Sequence, residues 1–118
     1  MLQIENVLTD RGSKYSVSGT AAHDTADVKA FLRKLRSKKK YAKATHNTWA
    51  IIYSNGKQVK NDDGESGAGM VILRMLERQK LFDQVIVVTR WYGGVHLGGD
   101  RFRHVQTCVN AYFEALEP

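Results

Sequence analysis

The chain is short of the residues that staple or interrupt a fold. In 118 residues it has one cysteine, Cys108, and one proline, Pro118. A lone thiol excludes an internal disulfide framework and fits a reducing compartment, so the expected location is the cytoplasm. With no internal proline and no composition shift there is no place for a linker, and residues 1–118 read as one domain, long enough for a single core. Long apolar runs are also missing. The strongest, "VIVV" at 85–88, falls far short of the roughly 20 residues of a membrane span. The opening "MLQIENVLTD" has neither the charged flank nor the apolar stretch of a signal peptide, and no membrane partner is expected. Acids are locally scarce too: none lies between Asp27 and Asp62.

What is present is ordinary globular composition, 42% hydrophobic and 25% charged, which excludes wholesale disorder. The net charge of +6 favours acidic partners such as nucleic acid, without naming one.

Periodicity places the elements. Leu2 to Leu8 and "KYSVSGT" read as two strands separated by the turn residues "TDRGS". Val28, Phe31, Leu32 and Leu35 share one face of a helix that Asp24 can cap, with Asp27 in its first turn. Asn55-Gly56, between Trp49/Ile51/Tyr53 and Val59, predicts a hairpin with a two-residue turn. A second helix carries Ile72, Met75 and Leu76. "QVIVVTRWY" lacks alternation and reads as a strand covered on most of its length. From Phe102 through Val105, Val109 and Tyr112 or Phe113 to Leu116 the spacing is helical. The order is β-β-α-β-β-α-β-α. The fold class expected is α+β, a two-layer arrangement of a mixed sheet with helices mainly on one face.

Three stretches carry possible chemistry. "RWYGGVHLGGDRFRH" at 90–104 keeps the glycine spacing of a phosphate-binding loop, but Gly99 and Asp100 stand where lysine and a hydroxyl are needed. Asp100 would put negative charge where the phosphate belongs, so nucleotide cradling fails. The plainer reading makes Asp100 the cap of the last helix, with the glycines allowing a tight turn. The cations around it, Arg90, Arg101 and Arg103 with His96 and His104, remain unexplained by a turn. Trp91 and Tyr92 either offer a stacking face for a base or belong to the core.

In "NDDGESGAG" the acids Asp62, Asp63 and Glu65 are either metal ligands or acid/base groups, or they complement a helix N-terminus. His46 is a lone histidine at a strand boundary, and the four histidines and Cys108 show no metal-ligand spacing. No metal and no cofactor are expected. The third stretch is the basic run Lys29, Arg33, Lys34, Arg36, Lys38, Lys39, Lys40 and Lys43. Without interleaved acids it repels itself, a cost that a polyanion would relieve.

"ATHNTWA" (44–50), "DDGESGAG" (62–69) and "VTRWYGGVHLGGDRFRH" (88–104), in that order, resemble the IMPACT family, specifically its widely distributed ancient domain. The resemblance runs from "LTDRGSKY" to the final helix. It implies a fold like the second domain of a small-subunit ribosomal protein and domain IV of elongation factor G, with a left-handed βαβ crossover. Eukaryotic members regulate translation by restraining the starvation kinase of initiation factor 2 through competition for its ribosome-associated activator. Bacterial members are suspected nucleic-acid or ribosome binders. Eukaryotic members carry an additional N-terminal domain and many bacterial members a C-terminal one, and the resemblance here is to the ancient domain alone. The family's loop residues fall on His46, Asn47, Asp62, Asp63, Glu65, Arg90, Tyr92, Gly93, Gly94, Gly98 and Asp100, with no catalytic role attached.

The leading expectation is a non-enzymatic module that docks on RNA or a ribonucleoprotein and is linked to translation. Its anion-binding groups would be Arg90, Arg101, Arg103, Lys34, Lys38, Lys39, Lys40 and Lys43. A second expectation is a regulator that binds a translation-factor protein in a kinase pathway. A third is a metal-assisted enzyme built on the Asp62–Glu65 loop.

Overall fold

The computed structural model describes residues 1–117; Pro118, where the sequence reading ends the domain, lies outside the described residues. The elements are β1 (Leu2–Asp10), β2 (Ser13–Ala21), α1 (Thr25–Ser37), α2 (Lys39–Ala42), β3 (His46–Ile52), β4 (Gln58–Asn61), α3 (Ala68–Gln79), β5 (Gln84–Trp91) and α4 (Asp100–Leu116). The expected order is present, with the one-turn helix α2 added between α1 and β3.

The five strands form one sheet in the order β1-β2-β5-β3-β4. The α+β class holds, but two details differ from the sequence reading. The sheet is not mixed: every neighbouring pair is antiparallel. The last strand, β5, inserts between β2 and β3 antiparallel to both, so their mutual parallel direction is never hydrogen-bonded. Nor do the helices gather on one face. Val85 and Val87 pack with Val28, Phe31 and Leu35 of α1, whereas Ile86 and Val88 pack with Ile72 and Leu76 of α3 and Val105 and Val109 of α4. The physical cause is the unalternating "VIVV". A central strand apolar on both sides must be covered on both, giving α1–α2, sheet and α3–α4 as three layers.

Local signals explain the element ends. The Asp24 carboxylate caps α1 by accepting the Asp27 amide at 2.8 Å, and Asp27 in turn accepts the His23 amide at 2.8 Å. The Asn55-Gly56 hairpin forms, but not with a two-residue turn. The Gly56 amide donates to the Tyr53 carbonyl (2.8 Å) and Tyr53 to Lys57 (2.9 Å), with Gly56 at φ 89°. That is a three-residue loop in which glycine alone supplies the left-handed position. Gly19 of β2 has a different purpose: a Cβ there would lie 2.4 Å from Tyr112 Oη, so the missing side chain lets α4 settle onto the sheet.

Candidate functional site

The sheet brings the acid loop and the arginine loop together. Arg90 is the penultimate residue of β5, and its neighbour in register is His46, the first residue of β3. The chain after β4 turns back over this corner through Asp63 (φ 48°) and Gly64 (φ 86°), bringing Glu65 to Arg90. Arg90 and Glu65 are 5% and 3% exposed, and Arg90 Nη1 donates to Glu65 Oε1 at 2.8 Å and Oε2 at 3.2 Å. The Ser13 hydroxyl oxygen accepts from Arg90 Nε (3.4 Å) and Nη2 (3.3 Å) and from the Gly93 amide (3.2 Å). Gly93 is pressed so closely on the β1–β2 turn that a Cβ would lie 2.0 Å from the Gly12 carbonyl carbon.

His46 completes the cluster. Its Nδ1 is 2.8 Å from the Asp63 carbonyl oxygen and its Nε2 is 2.9 Å from Glu65 Oε2. A carbonyl can only accept, so Nδ1 carries a hydrogen. Nε2 faces Glu65 Oε2, so the ring and the carboxylate form an ion pair when the ring is protonated. Both ring nitrogens of His46 lie against oxygen partners, and Glu65 accepts two hydrogen bonds from Arg90.

The rest of the acid loop is committed to structure. Asp62 accepts the amides of Gly67 (3.0 Å) and Gly69 (2.8 Å) at the start of α3. Burial works to raise its pKa, but these amide bonds and Lys60 prevail and leave it below the usual carboxylate value. Asp63 Oδ2 accepts the Asn47 amide at 2.7 Å. Asn47 is buried, donating to the Tyr41 carbonyl and accepting the Thr89 hydroxyl. No group of three metal-ligating side chains exists among the described residues. The helix-complementing role holds for Asp62, whereas Glu65 turns inward instead.

Above Glu65 and Arg90 opens a cleft of about 390 Å³, walled by Thr45 and His46 on one side and by Tyr92, His96, Leu97 and Arg101 on the other. Tyr92 is 44% exposed; the Arg90 guanidinium sits 5.7 Å from its ring centre and the His96 ring 5.6 Å away. Trp91 points to the opposite layer, packed on Tyr41 with its Nε1 donating to the Lys40 carbonyl at 3.0 Å. Gly94 and Gly98 take left-handed φ values of 95° and 56° in the connecting loop.

The expected cation set splits. Arg90 is buried and neutralised by Glu65, so it is not a docking group. Arg103 is exposed but lies 3.3 Å from Asp100. Arg101 lines the cleft, its Nε donating to the Gly98 carbonyl at 2.8 Å, and it forms no ion pair among the described residues. Lys34, Lys38, Lys39, Lys40 and Lys43 are exposed on the α1–α2 layer and likewise unpaired with any acid there; Lys38 donates to Gln3 at 3.0 Å. Asp100 does not cap α4 by its side chain: Gly99 occupies the cap position, and Asp100 accepts from Arg11 Nη2 at 2.6 Å.

Sequence reasoning missed a second polar knot. Asp10, at the end of β1, accepts from Arg11 (3.1 Å) and meets His104 Nε2 at 2.7 Å. Those contacts, Arg11 first, hold the Asp10 carboxyl down at about 2. No spacing in the chain links residues 10 and 104. Ser13 was equally invisible, a small hydroxyl in a turn-like stretch.

The Impact N-terminal domain family matches residues 11–113. Over 106 residues the chain is 42% identical to the Protein IMPACT homolog of Caenorhabditis elegans, covering 84% of this chain and 41% of that protein. It is 42% identical to Protein IMPACT of Bos taurus over 107 residues, 86% of this chain and 34% of that one. The chain thus spans well under half of the length of these relatives. A crystal structure of a hypothetical protein superposes with a TM-score of 0.84 at 23% identity, over 98% of this chain and 58% of that chain, a likeness of fold. The two-domain translational regulator Yih1 superposes with a TM-score of 0.57 at 29% identity, over 92% and 44%.

Proposed function

The chain belongs to the IMPACT family, and from that premise we propose that it is a cytoplasmic binding module of translation regulation that docks on RNA or a ribonucleoprotein surface. The regulatory part of this reading is supported by the likeness to Yih1, a translational regulator. The docking part is carried by one observation: Lys34, Lys38, Lys39, Lys40 and Lys43 stand exposed on one layer without a carboxylate partner among the described residues. Self-repulsion in such a patch is relieved by phosphates, whose bound counterions are released on contact.

Salt dependence tests it. With those five lysines and Arg101 on single-stranded RNA phosphates, log K against log salt has a slope of about −4. Lys39→Glu/Lys40→Glu lowers affinity at every salt concentration while circular dichroism stays unchanged, since both side chains are exposed. A flat salt profile, or no binding at low salt, refutes the reading.

A protein partner is the second reading, favoured by exposed Tyr92 and Val95 (44% and 47%) beside the cleft. It requires a stoichiometric complex with a translation factor that survives nuclease; a complex lost on nuclease treatment rejects it.

A further inference from the structure

We propose that the cleft between the acid loop and the arginine loop seats one nucleotide unit, its base against Tyr92 and its phosphate on Arg101. As a site for RNA this rests on the docking reading above; as a seat for a free nucleotide it does not.

Charge selects an anion. Among the described residues Glu65 is the only acid lining the cleft, and its charge is offset by Arg90. Arg101 adds a second positive charge. Its Nε is anchored on the Gly98 carbonyl (2.8 Å) and its guanidinium lies 5.1 Å from the Phe102 ring centre, which leaves the two Nη groups as a pre-oriented fork. A planar fork of this kind matches two phosphate oxygens. The glycine loop need not wrap the phosphate, so its failure as a phosphate-loop motif does not count against the site.

Shape and surface select a base. A volume of about 390 Å³ is at the small end of ligand pockets, enough for one unit and not for a stacked duplex. Tyr92 presents an exposed ring held from behind by Arg90 and beside by His96. A held aromatic loses little entropy when a base stacks on it. Entry is also provided. Thr45 forms the cleft edge, and two residues back along the chain lies Lys43; Lys40 sits over the Trp91 ring at 5.1 Å. A strand lying on the lysines leads to the cleft, where a single-stranded base can turn in and a paired one cannot.

The test titrates the intact chain with a labelled single-stranded uridylate oligomer, a matched RNA duplex and adenosine monophosphate. Fluorescence anisotropy reads the labelled RNAs and amide chemical shifts read the nucleotide. The oligomer binds more tightly than the duplex. Tyr92→Ala weakens it about 5- to 150-fold, and Tyr92→Phe restores it. Lys39→Glu/Lys40→Glu weakens oligomer and duplex alike. Nucleotide binding that Tyr92→Ala abolishes, with or without oligomer binding, supports the seat and identifies a free nucleotide as an occupant. Oligomer binding untouched by both Tyr92→Ala and Arg101→Ala, with no nucleotide binding, overturns the seat and leaves the lysine surface standing. Absence of binding by all three probes overturns both.

Discussion

Replacing Arg90 by methionine removes the cation beneath the cleft while keeping an unbranched, apolar stem. The Arg90 and Glu65 side chains are only 6% and 4% exposed, so solvent screens their attraction little. Deleting one partner strands the other: Glu65 keeps only His46, and Ser13 loses both guanidinium donors. Breaking a buried pair in this way costs about 3–5 kcal/mol. That is a large share of the roughly 5–15 kcal/mol that stabilises a domain. Urea unfolding followed by tryptophan fluorescence reads the loss as a lower midpoint at constant slope. The double variant Arg90→Met/Glu65→Leu recovers much of it, because no unpaired charge is left behind. A loss below about 1 kcal/mol for Arg90→Met, the size of an exposed pair, would refute the dry, buried geometry and restore Arg90 as a surface group.

Gly93→Ala forces a Cβ to within 2.0 Å of the Gly12 backbone, and no flexible side chain is there to yield. The expected loss is at least the about 1–3 kcal/mol of overpacking, read as a lowered Tm, while Gly99→Ala, which meets nothing within 4 Å, stays near wild type. Equal melting of the two variants would disprove the close packing of the loops. In alkali, burial pushes Cys108, Tyr15 and Tyr112 up to about 12 from 9.0, 10.0 and 10.0. The unfolded chain therefore gives up these protons first, and stability that is full below about pH 9 falls steadily as pH rises toward 12. Stability unchanged across that window would place those groups in water.

Legibility divided along range in sequence. Helix α1 was readable because its information is local: Val28, Phe31 and Leu35 at helical spacing, and Asp24 three residues before the amide it caps. The unalternating β5 was readable as a covered strand, yet which helices cover which face was not, because that depends on β5 inserting between β2 and β3. The acid and arginine loops were each visible as motifs. Their meeting was not, since it requires the β3–β5 register that sets His46 opposite Arg90. Asp10 and Ser13 left no signal, and His104 was visible beside the arginine loop but its partner Asp10 was not, since these contacts join residues far apart along the chain.

The cations show why counting charge along a sequence misplaces it. Arginine is weakly hydrated for a cation and has a rigid fork of donors, so it tolerates burial when acceptors surround it; lysine is a strongly hydrated point charge that stays in water. Three arginines make carboxylate ties here, and of these only Arg90 is buried. Arg90 ties β5 to the acid loop through Glu65, Arg11 ties the β1–β2 turn to α4 through Asp100, and Arg103 joins the same carboxylate. The lysines of α1 and α2 form no such ion pairs among the described residues. In the docking proposed above, a polyanion meets exposed lysines whose structural contacts are few, Lys38 on Gln3 and Lys40 over Trp91, while cleft geometry rests on the buried Arg90–Glu65 pair. Lysine variants should thus change affinity at constant stability, whereas Arg90 variants should change stability first and affinity only as a consequence.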